Sequence, residues 1–328
     1  MKLLMTILLV LPQLAFAQSS DAEFLALMKD RKHTEIEALA TTRINKNPAD
    51  EIAVWYLANV STNDKTKRDA AIVKANACIE AQPKSAKCHH AAGRLFGAAA
   101  MSSGPLDMMK YASRIKDEFM LAAELDPSSF DARRDLNQFY LQAPGIAGGS
   151  VRKAINNAED FGKLNPTLGK VLRAEIHAYE KEFDKAEAML SVTKPGSDEA
   201  TVTALTQAWF SLGIGLINDK QAPRAQQLFE RLIATDGSNA ALHFALGRAQ
   251  LEANAVDAAI VSMERALKLD SKLTAHYRLG MAYQQKGDKA KAIAAFQQFL
   301  TYSTSGKSAD DARQRLNALG VVAPGKSG

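Results

Sequence analysis

The residues of this 328-residue chain that could do chemistry are few, and each requires a particular setting. Gly320-Val321-Val322-Ala323-Pro324-Gly325-Lys326-Ser327 has the spelling of a phosphate-cradling loop. Such a loop must follow a strand and open a helix whose first amides hold the phosphate. Here a helical pattern precedes it and a single residue follows, so the spelling is coincidence. Pro144 to Ser150 is glycine-rich and leads into a helix, as an anion-binding nest would. It lacks the lysine-serine pair and the preceding strand, and reads instead as an insertion between two packed helices with a secondary role in contacts. His89, His243 and His276 each stand four residues ahead of a glycine. Zinc needs its ligands around one point, whereas equivalent slots in stacked elements lie about a helix diameter (~10 Å) apart. These histidines therefore read as packing residues, with no metal and no cofactor implied. The nucleophile, zinc-protease, paired-cysteine and calcium-loop spellings are all lacking, and acid pairs such as Asp117-Glu118 and Asp310-Asp311 read as solvated helix faces. The expectation is a protein with no catalytic step.

Composition narrows the class further. Hydrophobic residues make up 47% and charged residues 23%, ordinary for a folded chain, and the net charge is +5. With no run of five or six like charges, the sequence gives nucleic acid no footing. Residues 1–17 read as a cleaved secretory signal: Lys2, an apolar run from Leu3 to Leu11, and Ala15-Phe16-Ala17 before Gln18. The run is too short to anchor in a bilayer, so no stable membrane insertion is expected after cleavage. Export implies an oxidising compartment. Cys78 and Cys88, on either side of a predicted turn, are then either a disulfide stapling two adjacent units or two buried small apolar residues. The compartment favours the bond.

These residues must be positioned by helices, for no segment alternates with period two. Gly213, Gly247 and Gly280 recur 34 and then 33 residues apart, each twelve residues ahead of an alanine (Ala225, Ala259, Ala292). Four residues beyond each alanine stands a large apolar residue: Phe229, Met263 and Phe296. A small residue lets two helices approach at the alanine, and the large one is expected to fill the gap to the next unit. Leu212-Gly213, Leu246-Gly247 and Tyr277-Arg278-Leu279-Gly280-Met281-Ala282-Tyr283, followed by Lys286-Gly287-Asp288, resemble the tetratricopeptide repeat, a helix-turn-helix unit of about 34 residues.

The resemblance implies an all-α fold, a right-handed superhelix of tandem helix pairs, from Asp21 to Leu319. After the signal come degenerate repeats over 18–196, three regular repeats over 197–306, a capping helix over 307–320 and a loose tail over 321–328. A swollen turn is expected from Gly97 to Met109, an N-cap at Ser150, and a soft break at Lys194-Pro195-Gly196-Ser197. His90 to Gly97, Ala123 to Pro127 and Tyr140 to Ser150 are similar to segments of exported bacterial tetratricopeptide proteins with no assigned biochemical activity. That places the chain in the periplasm or envelope of a Gram-negative bacterium, or among secreted proteins.

In this family the first helix of each unit lines an inner groove with its second, fifth, sixth, ninth, twelfth and thirteenth positions. Counted from Thr206, Ala240 and Leu273, the wall would present Phe210, Ile214, Phe244, Arg248, Leu251, Glu252, Tyr277, Arg278, Met281 and Gln285. Members that clamp a terminal carboxylate place lysines and asparagines there. Phe210, Phe244 and Tyr277 stand in their stead, which suits a peptide with apolar anchors and an acidic group. The implied partner is a protein or peptide. The aromatics could instead serve packing, or be covered by the terminal helix. The other reading from another class is a structural or assembly subunit of an envelope complex, acting through its outer face or middle loops; an enzyme on a helical scaffold is a third.

Overall fold

The computed structural model describes residues 13–103, 105–194, 198–271, 273–304 and 306–322, with side chains from Asp21 onward except those of residues 105–107. All regular structure among them is helical. In chain order the helices are α1 (Gln13–Lys29), α2 (His33–Lys46), α3 (Glu51–Ser61), α4 (Lys65–Ala81), α5 (Ala86–Met101) and α6 (Pro105–Leu125). There follow α7 (Phe130–Gln142), α8 (Val151–Leu164), α9 (Pro166–Tyr179), α10 (Phe183–Ser191), α11 (Glu199–Asn218) and α12 (Ala222–Thr235). The last five are α13 (Ala240–Glu252), α14 (Val256–Leu269), α15 (His276–Lys286), α16 (Lys289–Tyr302) and α17 (Lys307–Ala318). The chain divides into two compact units, Met1–Leu172 and Arg173–Gly328, with the division inside α9. Each unit is a tandem stack of antiparallel helix pairs, as the repeat predicts. The signal stretch 1–12, most of the break at 194–197 and most of the tail with its phosphate-loop spelling lie outside the described residues.

Local chemistry sets where these helices start. The side chains of Asp50, Asp64, Ser85, Ser129, Ser150, Asp198 and Asp288 each accept a hydrogen bond from the amide three residues on. Each one satisfies an amide that the first turn leaves without a partner. Ser150 is thus the cap that the sequence indicates.

The pairs are locked by a small residue on the first helix facing a large one on the second. A Cβ built on Gly93 would lie 2.5 Å from the Phe119 ring, on Gly247 2.6 Å from Met263 Cγ, and on Gly280 2.7 Å from the Phe296 ring. A Cβ on Gly213 would lie 2.3 Å from the tip of the Phe229 ring. The large residue thus fills the cleft of its own pair, and Met263 belongs also to the core that continues into the next pair. Ala225, Ala259 and Ala292 are fully buried beside these contacts, as are Phe229, Met263 and Phe296.

The third pair also departs from expectation. The residues from Gly97 to Met109 extend the helices rather than swell a loop: α5 continues to Met101 and α6 begins at Pro105. Alanines at 98, 99 and 100 keep the helix going. At the other end α17 buries Ala309, Ala312 and Leu316 against α16 and closes the apolar face of the last pair. The helix α11 is long and apolar enough to cross a membrane, but it packs on α10, α12 and α13 with Leu212 and Leu216 buried.

Cys78 and Cys88 are joined as a disulfide with Cα atoms 5.8 Å apart, tying the end of α4 to the start of α5. Closing so short a loop removes about 3 kcal/mol of unfolded-chain entropy. Cys78→Ala with Cys88→Ala is expected to lower stability by about 2–4 kcal/mol in oxidising buffer and by nothing extra with reductant present, as read by denaturant melts. Phe296→Ala is expected to cost about 3–5 kcal/mol, because the glycine opposite cannot collapse into the hole. A loss below about 1 kcal/mol would mean the small–large contact is not what locks the pair.

Candidate functional site

In the second unit the fifth and ninth positions of the first helices lie on α11, α13 and α15; α13 packs on α11, and Arg278 and Gln285 of α15 reach Glu252 and Asn254 at the end of α13. Phe210 and Ile214 are half-buried on α11, with the Phe210 ring 6.0 Å from that of Phe229. Phe244 is half-buried against the core formed by α13 to α17. Tyr277 lies over Phe299, ring centres 5.2 Å apart, and Met281 packs beside it. Leu251 does not join them. It is 7% exposed within the core and has no surface to offer a partner, because the twelfth position here turns toward α14 and α15. Gln285 is exposed and donates to Asn254 Oδ1 at 2.6 Å, tying α15 to the turn after α13.

The charged members are unequal. Arg278 Nη1 stands 3.5 Å from Glu252 Oε1, and its guanidinium sits 5.9 Å above the Tyr277 ring. Arg248 is half-buried with no acceptor among the described residues. Burial first, and then the neighbouring charge of Arg278, push the Arg248 guanidinium below its usual range, with Glu252 opposing. Two guanidiniums share one carboxylate in a partly dry place, which leaves a positive charge uncompensated. A buried charge without a partner is costly.

The far end of the wall is closed by the chain itself. Tyr277 Oη donates to Asp311 Oδ2 at 2.8 Å, and Arg315 Nη1 donates to Gln284 Oε1 at 2.8 Å, both partners being on α17. The terminal helix thus covers the α15 side, and the wall is narrower than the sequence implies.

Burial disfavours ionisation of Asp311. The hydrogen bonds from Arg315 and Tyr277, with the Arg315 charge, outweigh it and hold the carboxyl below its usual range. Tyr277 moves the other way, raised by burial and by its bond to Asp311.

The histidines do other work. His243 Nε2 lies 3.0 Å from the Gly237 carbonyl, and His89 Nε2 lies 3.0 Å from the Pro83 carbonyl, each six residues upstream. This slot latches the turn that precedes its helix. His276 instead meets the Tyr302 hydroxyl at 3.3 Å, and burial lowers its basicity. No two of the three share a centre.

Two features of the structure had no signal among the motifs. In the first unit, Trp55, Asn59, His90, Arg94 and Asp135 form a continuous polar net across α3, α5 and α7. Arg94 Nη1 donates to Asn59 Oδ1 at 2.7 Å, and His90 Nε2 lies 2.8 Å from Asp135 Oδ2. Trp55 is stacked between His90, at 4.5 Å, and the Arg94 guanidinium, at 5.2 Å. The signal was available, since Trp55 and Asn59, like His90 and Arg94, are four apart and occupy the fifth and ninth positions once the count is carried upstream. At the α9–α10 turn, His177, Glu180 and Glu182 bring ligand-type atoms within 4.8 Å of one another. Glu182 is already held by Lys185 and by His177 Nδ1, each at 2.7 Å, and these bonds keep its carboxyl below the usual range. That cluster latches a turn.

Tandem helix pairs with a small–large lock define a tetratricopeptide-type solenoid. Residues 274–303, covering α15 and α16, match the tetratricopeptide repeat family model. None of the curated protein sequences matches the chain. Among solved structures, yeast Tom70 superposes with a TM-score of 0.62 at 16% identity, over 89% of this chain and 59% of that one. The Cut9–Hcn1 hetero-tetramer of the APC/C gives 0.45 at 17% identity over 89% of this chain and 54% of that one. A tetratricopeptide repeat protein from Parabacteroides merdae gives 0.48 at 12% identity over 81% and 98%. The chain spans little more than half the length of the first two. At these identities the likeness is one of fold.

The Asp311 contact has a defined pH signature. A carboxyl depressed in the folded state adds stability above its unfolded pKa, and that stability is lost as pH falls through the folded value. Melting the parent chain from about pH 6 to below pH 4 should therefore show a loss that Asp311→Asn lacks in part. Parallel pH profiles for the two would mean that α17 is not held by this ion pair.

Proposed function

We propose that this protein is an exported, non-catalytic scaffold that captures a protein or peptide along the α11–α13–α15 wall of its second unit. Helical repeat solenoids of this type are platforms for protein–protein contact, and their affinity comes from a rigid surface rather than from a reacting centre. The observation that carries the reading is Arg248: a half-buried guanidinium with no hydrogen-bond acceptor among the described residues, beside a second guanidinium and one helical turn from Phe244. An acidic side chain on an incoming segment would take up that charge, while apolar side chains one turn away would meet Phe210, Ile214, Phe244 and Met281. The leader-like start of the sequence and the Cys78–Cys88 pair support export to an oxidising compartment, with the periplasm as the expected place.

Ligand sites cost stability, and this one has a measurable cost. Replacing Arg248 with methionine removes an uncompensated charge at little loss of volume, so the variant is expected to be as stable as the parent or more stable by about 1 kcal/mol. The same change is expected to weaken partner capture at least ~10-fold, about 1.4 kcal/mol. Affinity capture from an envelope extract followed by mass spectrometry identifies the partner. If Phe244→Ala with Arg278→Ala retains the same captured protein at full yield, the wall is not the binding site. A destabilised Arg248→Met would show instead that the guanidinium serves the fold.

A further inference from the structure

The turn that joins α9 to α10 is built like four others in the chain but carries different chemistry. The Glu182 amide donates to the His177 carbonyl at 2.8 Å and the Lys181 amide to the Ala178 carbonyl at 3.2 Å, with Lys181 at φ +62°. The turns after α1, α11, α13 and α15 close in the same way, on the carbonyls of Leu27, Leu216, Gln250 and Tyr283. Those four side chains are buried or half-buried. At the α9–α10 turn the same slot holds His177, and the positions three and five residues on hold Glu180 and Glu182. Of the five turns, this one alone has a metal-ligand type at all three positions.

The fold brings those three groups to one point. One ligand-type atom from each of His177, Glu180 and Glu182 lies within 4.8 Å of the others. Two zinc ligands bound at about 2.0 Å in a tetrahedron stand about 3.3 Å apart, so a small rotation of the exposed Glu180 closes the set. Glu180 has no other partner among the described residues. It thus brings a second carboxylate toward Glu182, and two carboxylates drawn together repel unless a cation joins them.

Two lysines of the turn bear on the choice of cation. Lys181 is paired with Asp219 Oδ1 at 2.7 Å, on the next helix pair. Lys185 holds Glu182 Oε1 at 2.7 Å from a side chain that is 64% exposed. An exposed pair of that kind is weak, and a divalent ion on the same carboxylate displaces it. His177 Nδ1 lies 2.7 Å from Glu182 Oε2 and is mostly shielded from water. An imidazole with two carboxylates selects a first-row transition ion over calcium or magnesium, which favour oxygen alone.

We infer that the α9–α10 turn binds a divalent transition-metal ion such as zinc on His177, Glu180 and Glu182, with water completing the shell. On binding, the proton between His177 Nδ1 and Glu182 Oε2 moves to Nε2 and the ion takes its place. The helix that follows, α10, has 9 residues where α12, α14 and α16 have 14 each, so the ion fastens the shortest second helix of the unit. This site stands apart from peptide capture on the wall, and either can fail without the other.

The test uses the full chain, purified without a histidine tag and stripped with chelator, then titrated with zinc alone in a calorimeter. The expected result is saturable binding in the micromolar range, together with slower amide exchange in α10. Glu180→Gln removes an exposed ligand with no other partner, and is expected to weaken binding at least ~10-fold without changing the melting temperature of the metal-free chain. His177→Leu restores the residue of the α1 and α11 turns, which suits the fold, and is expected to abolish binding. Glu80→Gln, exposed on α4, is the matched control and leaves binding as it was. Binding that saturates only in the millimolar range, or zinc held equally by the parent and both variants, overturns the inference. The second of these outcomes would place the ion elsewhere on the surface.

Discussion

The architecture rests on one contact: a glycine on the first helix of a pair pressed against a phenylalanine or methionine on the second. It is a close-approach device. Without a Cβ, the first helix can lie against a large side chain that would otherwise hold the two helices apart. Among the described residues it occurs once in the first unit, Gly93 with Phe119, and three times in the second, Gly213 with Phe229, Gly247 with Met263 and Gly280 with Phe296. The fifth position borders the lock itself, with the Phe210 ring 6.0 Å from Phe229 and the Tyr277 ring 6.3 Å from Phe296, so this face is only partly released from packing. The fifth and ninth positions, one turn apart on it, carry different residue types in the two units.

They do vary, and the two units use them differently. In the first unit these positions carry Trp55, Asn59, His90 and Arg94, whose polar atoms are spent on one another and on Asp135. In the second they carry Phe210, Ile214, Phe244, Arg248, Tyr277 and Met281, which have fewer polar partners within the wall. A wall whose hydrogen bonds are already made gains little from a ligand. A wall with an unneutralised guanidinium gains a great deal. This asymmetry, more than aromatic content, singles out the second unit as the place to look for recognition.

What was legible in the sequence follows from how far each signal travels along the chain. Helix order, the Ser150 cap and the small–large spacing of sixteen residues are local and could be read directly. The Cys78–Cys88 pairing spans only a turn and was readable as one of two outcomes. The contacts that decide availability are longer in range. Tyr277 with Asp311 and Arg315 with Gln284 join helices about one repeat apart, and His90 reaches Asp135 across 45 residues. No spacing rule announces them, so the sequence leaves open whether the terminal helix only caps the last pair or also covers an aromatic; it does both at Tyr277. Leu251 was misplaced for a related reason. A position number says which way a residue points but not what packs over it, and Leu251 lies in the core shared with α14 and α15 while Glu252 beside it stays exposed.

The residues that do not fit the fold's own logic are the informative ones. A stability-minded sequence would not bury Arg248 half-way beside Arg278. Consistency between local preference and global packing is what a folding chain maintains, and departures from it concentrate where another molecule completes the structure. For the guanidinium pair, the complement under the proposed capture is an acidic group on the incoming segment. Tandem pairs make this possible because each pair is stabilised mainly by its own lock and its neighbours, and a cost incurred at one wall is not carried through the whole chain.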